Sequence, residues 1–451
     1  MVQIDEKVYG LSKARLESVF DAGTFVELGA HTKRTDSQTE FESVVCGYGA
    51  VEGKLAFAFV QDSGRTKGAF GERHAKKIAS LYELAVKNGA PVIGVFDSAG
   101  AIVYDGASAL AAYGKLMKNI SDASGVIPQI AVIDGVCGGS SAVAASMFDF
   151  VITVKNRSKL FVNAPFVVGE TEGAAVTGLS AYDAKDEAEA FALVRELVGV
   201  LPQNNADVAF CDSADDLNRK VSVDTDKYDM DELIKTLADD GKLTALYSEY
   251  APGAHVGFAS FGGICTGVIG VKGALDIKSA RVAAKMVTFC DSFGIPTLTL
   301  VDSEGLDVSA DAENAAYASE LARLAMSYTS SDNAKVTVVL GKAYGAAFTL
   351  LGSKSVGADI AFALPTSAIS VLSPEASVAF VWNDKVGEKS REEVEAEWKE
   401  KCASAADAAD AGEIDDVIDP AELRQRICAA LGMLSAKADG IPARKHTSLP
   451  L

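Results

Sequence analysis

Residues 68–100 read GAFGERHAKKIASLYELAVKNGAPVIGVFDSAG, and residues 273–305 read GALDIKSARVAAKMVTFCDSFGIPTLTLVDSEG. The two segments align without gaps and share nine of 33 positions, including the GxP before each aliphatic run and the DSxG after it. Self-similarity on this scale marks a repeated structural unit, so the chain is first of all a duplication. Upstream, GYGAVEG (47–53) matches GFASFGG (257–263). Downstream, Pro91 and Gly135 are 44 residues apart, Pro296 and Gly341 45, and each glycine closes an aliphatic run, QIAVID or KVTVVL. A second apolar run follows in each copy (DFVITV 149–154, DIAFAL 359–364), then a third (KLFVNA, AISVLS).

Within each copy strands alternate with helices. In ERHAKKIASLYELAVKNG the spacing places Ile78, Leu81, Ala85 and Val86 on one helical face, with Gly89 as the C-cap. SARVAAKMVTFCDSFG repeats the pattern with Val282, Met286 and Phe289. Short β-branched runs between helices indicate buried, mostly parallel strands joined by right-handed crossovers. The class is α/β, twice over. A polar, acidic stretch near 205–230 separates the copies, giving halves 1–220 and 221–451.

Composition narrows the function. The 451 residues are 49% apolar and 23% charged, as in a soluble globular protein with room for two cores. A net charge of -20 argues against a nucleic-acid partner, which needs a basic surface to displace counterions. MVQIDEKVYGLSKARLE lacks the apolar core of a secretory signal, and no run of about 18 apolar residues exists to span a membrane. Seven widely spaced cysteines without a CxxC pair exclude the usual zinc ribbon and suggest a reducing cytoplasm. The histidines (31, 74, 255, 446) form no HExxH pattern, so each is expected in a packing or surface role and no metal site is expected.

Chemistry points instead to two stretches of small residues, GVCGGSSAVAAS (135–146) and GKAYGAAFTLLGSK (341–354). A strand that turns through glycine into an Ala-rich helix leaves backbone N–H groups free at the helix start. The candidates are Gly138, Gly139 and Ser140 in the first copy, and Gly345, Ala346 and Ala347 in the second. With no bulky side chain in the way, a carbonyl can approach such donors and develop negative charge, as in an oxyanion hole. The alternative is close helix–strand packing with no chemical role.

GAPVIGVFDSAGA (89–101), IPQIAVIDGVCGG (127–139) and SKLFVNAP (158–165) resemble the N-terminal half of biotin-dependent acyl-CoA carboxyltransferases. GIPTLTLVDSEG (294–305), KVTVVLGKAYGAAF (335–348), LGSKSVGADIAFALPT (351–366) and the tail DVIDPAELRQRICAAL…RKHTSLPL (416–451) resemble the C-terminal half. The family includes acetyl-CoA and propionyl-CoA carboxylase β subunits and the carboxyltransferase subunits of methylmalonyl-CoA and glutaconyl-CoA decarboxylases. The resemblance implies two crotonase-type spirals of ββα units and a hexamer built as a trimer of dimers. It implies an acyl-CoA thioester oxygen on the Gly138–Ser140 amides, and biotin, on a separate carrier protein, with its ureido oxygen on the Ala346–Ala347 amides. Ala99, Gly100, Ala101, Tyr344 and Thr349 are the flanking cofactor-contact positions, and residue 349 is where relatives choose among acyl chains. The implied partners are a biotin carrier protein and either a biotin carboxylase or a membrane decarboxylase subunit. A biotin-independent crotonase-like hydratase or decarboxylase, and a non-catalytic scaffold, are the alternatives.

The chain departs from the family pattern in places. DSAGAIVYDG (97–106) carries Ile102 where relatives carry arginine, the 301–314 segment VDSEGLDVSADAEN is short and acidic, and FVVGETEGAAVTGL (166–179) is short. Lys155, Arg157 and Lys159 form a small basic cluster that is either a solvated turn or a contact for CoA phosphates. The 390–413 stretch reads as a solvated surface helix, with carrier docking as the alternative. Glu170 and Glu172 are the carboxylates a hydratase would need. Asp97 and Asp302 recur in the repeat and read as strand-end residues that hydrogen-bond nearby backbone.

Overall fold

The computed structural model describes residues 6–34, 37, 39–208, 210–225, 227–438 and 450, with side chains from Ser12 onward. His446 and residues 439–449 of the tail used in the resemblance lie outside the described residues. The chain forms two compact units, 1–209 and 210–451. The division falls before the expected residue 220, because Phe210 bridges to Ile264 and Val221 packs into the core of the second unit.

Each unit is built on an eight-stranded sheet. The first contains β1 (Val26–Leu28), β2 (Val44–Val51), β3 (Lys54–Gln61), β4 (Val92–Ser98), β5 (Gln129–Gly138), β6 (Phe150–Val154), β7 (Lys159–Phe161) and β8 (Tyr182–Ala184). The second contains β9 (Thr244–Leu246), β10 (Ala254–Phe261), β11 (Ile264–Leu275), β12 (Thr297–Leu306), β13 (Lys335–Tyr344), β14 (Ile360–Ala363), β15 (Ala368–Ser370) and β16 (Asp416–Val417). The orders are β1-β2-β3-β4-β5-β6-β8 with β7 on β5, and β9-β10-β11-β12-β13-β14-β16 with β15 on β13. Strand for strand, the units are the same object. The first two pairs in each are antiparallel, and every later pair is parallel.

The crossover helices behave as their spacing predicts. In Glu72–Asn88, Ile78, Leu81 and Ala85 are buried and Gly89 closes the helix in the left-handed region. Val86 is the exception, 40% exposed, because eight steps from Ile78 rotate it about 80° off the buried stripe. In Ile277–Ser292, Val282, Met286 and Phe289 are all buried. The 390–413 stretch forms helices Arg391–Cys402 and Ala405–Asp410, each opened by a capping box from Ser390 or Ser404. His74 is buried beside the Phe70 ring, and His255 pairs with Asp231 at 2.8 Å.

One expectation about the strands is corrected. β5 and β13 do not stop at Gly135 and Gly341 but run on to Gly138 and Tyr344. The glycines mark a bulge in which register slips: Phe96 faces Ile133 but Ser98 faces Cys137, and Val301 faces Val339 but Ser303 faces Ala343. The Asp97 and Asp302 carboxylates fill these bulges, and a Cβ on Gly135 or Gly341 would overlap them. Asp97 accepts from Val136 N at 3.3 Å and Asp302 from Lys342 N at 2.9 Å, the backbone role their recurrence suggested, made on the neighbouring strand. Before the bulge each long strand pairs with one neighbour (β6 or β14), and after it with another (β7 or β15). The forked end of the strand is where each functional turn sits.

Candidate active site

At the two forks the backbone repeats itself closely. Gly139 has φ 59° and ψ −126°, Gly345 has φ 58° and ψ −145°, and each is the N-cap of a short helix, Ser140–Ala145 or Ala346–Leu350. These left-handed values favour glycine. Both carbonyls accept the first helical bonds, Gly139 O from Val143 N and Gly345 O from Phe348 N.

The donor set is narrower than expected. Gly139 N donates to Phe161 O and Gly345 N to Ser370 O, each at 2.9 Å, so these two amides are spent on β7 and β15. Gly139 and Gly345 therefore shape the turns rather than donate in them. Gly138 lies in the ladder opposite Phe161, and a Cβ there would stand 2.6 Å from the Phe161 ring, so its smallness serves packing. Among the described residues no backbone acceptor takes the Ser140, Ala346 or Ala347 amides, as first-turn helix geometry requires. Ser140 is half-buried, Ala346 exposed and Ala347 buried.

The exit of β4 lies beside the strand that leads into the first turn, with Ser98 facing Cys137. Ala99 N donates to Lys67 O at 2.8 Å and Gly100 N to Ser98 Oγ at 3.1 Å. Phe70 N donates to Gly100 O and Ile102 N to Phe70 O, a parallel bridge that directs the Ala101 amide to its other side. Of Ala99, Gly100 and Ala101, only the last keeps its amide clear of these bonds. In the second unit Gly305 N reaches Ser303 Oγ at 3.4 Å and Leu275 pairs with Leu306 in the same manner. Tyr344 lies 8% exposed immediately before Gly345, and Thr349 is exposed on the helix after it.

Side chains beneath the first turn are not nucleophiles. Cys137 lies 3.5 Å from Ser141 Oγ, and burial pushes its thiol up to about 12. Burial likewise pushes Tyr113, stacked on Phe70 at 4.3 Å, up to about 12. Glu170 and Glu172 are exposed on the 169–173 coil. Among the described residues no group of three His, Cys, Asp or Glu is placed to hold a metal ion.

An ion cluster that sequence reasoning missed supports the first fork. Arg15, from the helix Glu6–Val19, meets Asp134 at 3.0 Å, Glu187 at 3.1 Å and Asp97 at 3.8 Å. Arg157 meets Asp134 at 2.8 Å and Glu187 at 2.7 Å, so of the three basic residues expected in a solvated turn or against CoA phosphates it is the one engaged in this ion cluster. Three carboxylates thus share two guanidiniums. Burial, and repulsion from Glu187 and Asp97 against the pull of Arg15, push the Asp134 carboxyl up from 3.8 to about 7. The folded form then holds this proton more tightly than the unfolded chain, so its stabilisation is full below about pH 4 and lost as pH rises through about 7. The wild-type melting temperature is expected to fall across that window and Asp134→Asn to lose most of the fall. An unchanged slope in the variant would place the proton elsewhere.

Fold and site define a class: a duplicated crotonase-type α/β protein in which each half presents main-chain donors at a glycine-led strand-to-helix turn. The chain belongs to the carboxyl transferase domain family, which matches residues 10–449. It is 33% identical to methylmalonyl-CoA decarboxylase subunit alpha of Veillonella parvula, over 98% of this chain and 93% of that one. It is 34% identical to the propionyl-CoA carboxylase beta chain of Roseobacter denitrificans, again over 98% and 93%. Among solved structures, transcarboxylase 12S, a hexamer crystallised with methylmalonyl-CoA and methylmalonic acid, matches with TM-score 0.91 and 30% identity, covering 99% of this chain and 94% of that one. A single-chain, multi-domain long-chain acyl-CoA carboxylase shares the fold, with TM-score 0.81 at 22% identity over 95% of this chain and 47% of that one. The expected class, an acyl-CoA carboxyltransferase subunit of a biotin-dependent carboxylase or decarboxylase, is the one this family and these relatives share.

Proposed function

We propose that the chain moves a carboxyl group between carboxylated biotin, on a separate carrier protein, and the α-carbon of a short acyl-CoA of the propionyl/methylmalonyl type. The matched turns at Gly139 and Gly345 carry the assignment of roles, because two substrates with one carbonyl-type oxygen each need two donor sets. The acyl thioester belongs to the first half, where the Ser140 amide follows β5 and the Ala101 amide follows the neighbouring strand β4. Biotin belongs to the second, where Ala346 and Ala347 offer adjacent amides with only methyl groups beside them. Bound biotin supplies a ureido nitrogen that carries the carboxyl group and a ureido oxygen that takes up negative charge when that group leaves.

The chain's own contribution is to hold and to stabilise. Fixed amide dipoles face oxygens that are more negative in the transition state than in the ground state, without reorganising as the reaction proceeds. The positive helix N-termini add a smaller term of the same sign. Ile102, at the rim beside Gly71, places an aliphatic side chain where relatives have arginine, so the CoA phosphates must find other cations.

In each unit the segments that follow the strands beside the turn, β4 and β7 in the first and β15 in the second, leave apolar side chains in solvent. Val103 is 85%, Phe166 92% and Val167 68% exposed in the first unit, and Val371 82%, Phe380 81% and Val381 61% in the second. Monomers rarely expose so much. This exposure supports a homo-oligomer, a hexamer like that of transcarboxylase 12S, in which a second copy covers these side chains and completes the site. The remaining partners are a biotin carrier and a biotin carboxylase or membrane decarboxylase subunit, in the cytoplasm.

Methylmalonyl-CoA decarboxylation assayed with and without free biotin tests this reading. Biotin is expected to stimulate turnover at least tenfold, while light scattering reports a hexamer. Decarboxylation or hydration indifferent to biotin would assign the chain to biotin-independent chemistry, and failure to bind any short acyl-CoA would make it a scaffold.

A further inference from the structure

Because the halves match strand for strand, a difference between them at one position is informative. Beside the first turn, the residue after the bulge glycine is Val136 and the residue after Ser98 is Ala99, both neutral. At the matched places beside the second turn stand Lys342 and Glu304, joined Nζ to Oε1 at 2.7 Å. Their side chains are 50% and 60% exposed, so both heads are open to exchange with a ligand. Lys342 is anchored at its root, where its amide donates to Asp302 Oδ1 at 2.9 Å inside the bulge. Beyond that root only a flexible four-carbon stem carries the charge.

Lys342 stands two residues before Tyr344 on the regularly paired end of β13, so the two side chains leave the same face of the strand just ahead of the functional turn. After burial, which raises the Tyr344 phenol, Lys342 is the largest influence on it, and Tyr344 is the residue before Gly345. Lys342 also helps to hold the Glu375 carboxyl down, after hydrogen bonds from Ser373 and the backbone, and Glu375 opens the helix Pro374–Val381 that follows β15. A half-exposed Lys–Glu pair contributes little to stability, so stability gives little reason for this one. Trading one carboxylate partner for another is cheap for the same reason. The Ala346 and Ala347 amides can hold a ureido oxygen, but they cannot tell biotin that carries a carboxylate from biotin that does not.

We propose that Lys342 receives the carboxylate of carboxylated biotin, releasing Glu304 as the ligand enters, and so selects the loaded form of the carrier over the unloaded one. The proposal rests on the placement of biotin in the second half. The first half has Val136 at the equivalent point and carries no such selector.

Calorimetric binding of two stable biotin derivatives to the full-length protein tests it: N1′-malonylbiotin methyl ester, which is anionic, and N1′-acetylbiotin methyl ester, which is neutral. The wild-type protein is expected to bind the anionic derivative at least tenfold more tightly. Lys342→Met should erase that preference without changing affinity for the neutral derivative or for propionyl-CoA, Lys342→Arg should restore it, and Glu304→Gln should increase it. Equal weakening of both derivatives by Lys342→Met, or a preference that survives it, overturns the selector role while leaving biotin in this half. Failure of the wild-type protein to bind either derivative overturns the placement of biotin and the proposal with it.

Discussion

Gly345→Val is expected to lower the rate constant of carboxyl transfer at least 100-fold, and Gly139→Val to do the same from the other half. Each glycine occupies a backbone conformation, φ 58° with ψ −145° or φ 59° with ψ −126°, that costs a residue with a Cβ about 1–3 kcal/mol and is least tolerant of a β-branched one. At Gly345 a Cβ would also meet Val371 O at 3.3 Å, so the turn cannot simply absorb the side chain. The cheapest relief is to rotate the peptide that follows, and that peptide carries the Ala346 amide, or the Ser140 amide in the first half. Loss of one oxyanion donor typically costs about 2.7–4 kcal/mol of activation energy, which sets the 100-fold floor. Because Gly139 N and Gly345 N already bond to β7 and β15, these variants act through geometry rather than by removing the glycine's own donor. The two halves separate by binding: Gly139→Val should weaken propionyl-CoA and spare the biotin derivatives, and Gly345→Val the reverse. Alanine at either position should lose less. Near-normal turnover of a correctly assembled Gly345→Val enzyme would defeat the donor model.

Much of this site was legible in the sequence because duplication makes it redundant. The shared GxP and DSxG fixed the same strand–helix–strand unit twice, and the small residues at 138–140 and 345–347 stood out once two equivalent copies could be compared. What stayed hidden depends on contacts between residues distant in the chain. Gly135 and Gly341 looked like strand ends, because no local pattern shows that an aspartate from the neighbouring strand occupies the space of their missing side chains. The loss of the Gly139 amide depends on Phe161, and that of Gly345 on Ser370, each more than 20 residues downstream. Arg157 read as part of a basic cluster, solvated or facing CoA phosphates, because Arg15 and Asp134, its companions in the ion cluster, lie far from it in sequence. Aligning Gly135 with Gly341 already set Val136 against Lys342, so the asymmetry of the second half was visible as a pair of letters. Its meaning needed the 2.7 Å contact to Glu304.

Arg424→Leu is expected to produce the largest loss of stability of any substitution outside the turns. Arg424 lies in the helix Leu423–Met433 with no exposed surface, and each of its three guanidinium nitrogens makes a hydrogen bond. Nη1 donates to Leu237 O at 2.6 Å, Nη2 to Asp239 Oδ1 at 2.6 Å and Nε to Asp216 O at 3.1 Å, with Asp215 3.3 Å away. Asp239 in turn accepts from Gly262 N, Gly263 N and Ser260 Oγ, so one buried pair ties the C-terminal helix to the β10–β11 turn. Burial alone would raise the Asp239 carboxyl, but the hydrogen bonds from Gly263, Arg424, Ser260 and Gly262 outweigh it and hold the carboxyl below its ordinary value. Leucine removes the cation, leaves Asp239 charged and buried, and takes the Arg424 donor from Leu237 O, while Asp216 O keeps its bond from Arg219 N. Breaking a buried pair in this way costs about 3–5 kcal/mol, or roughly 6–20 °C in the melting temperature of a unit this size. Arg424→Lys should recover little, since one ammonium cannot reproduce the three-way fork. Hydrogen exchange should show the loss confined to the second unit, because every partner of Arg424 lies within 210–451. The depressed Asp239 gives a further check. Its stabilisation is present above the usual aspartate range and lost as pH falls through that range and below, so the gap between wild type and variant should narrow on acidification. A melting temperature within about 2 °C of wild type at neutral pH would mean that the helix is held by its apolar face alone, through Leu423, Ile427 and Leu431.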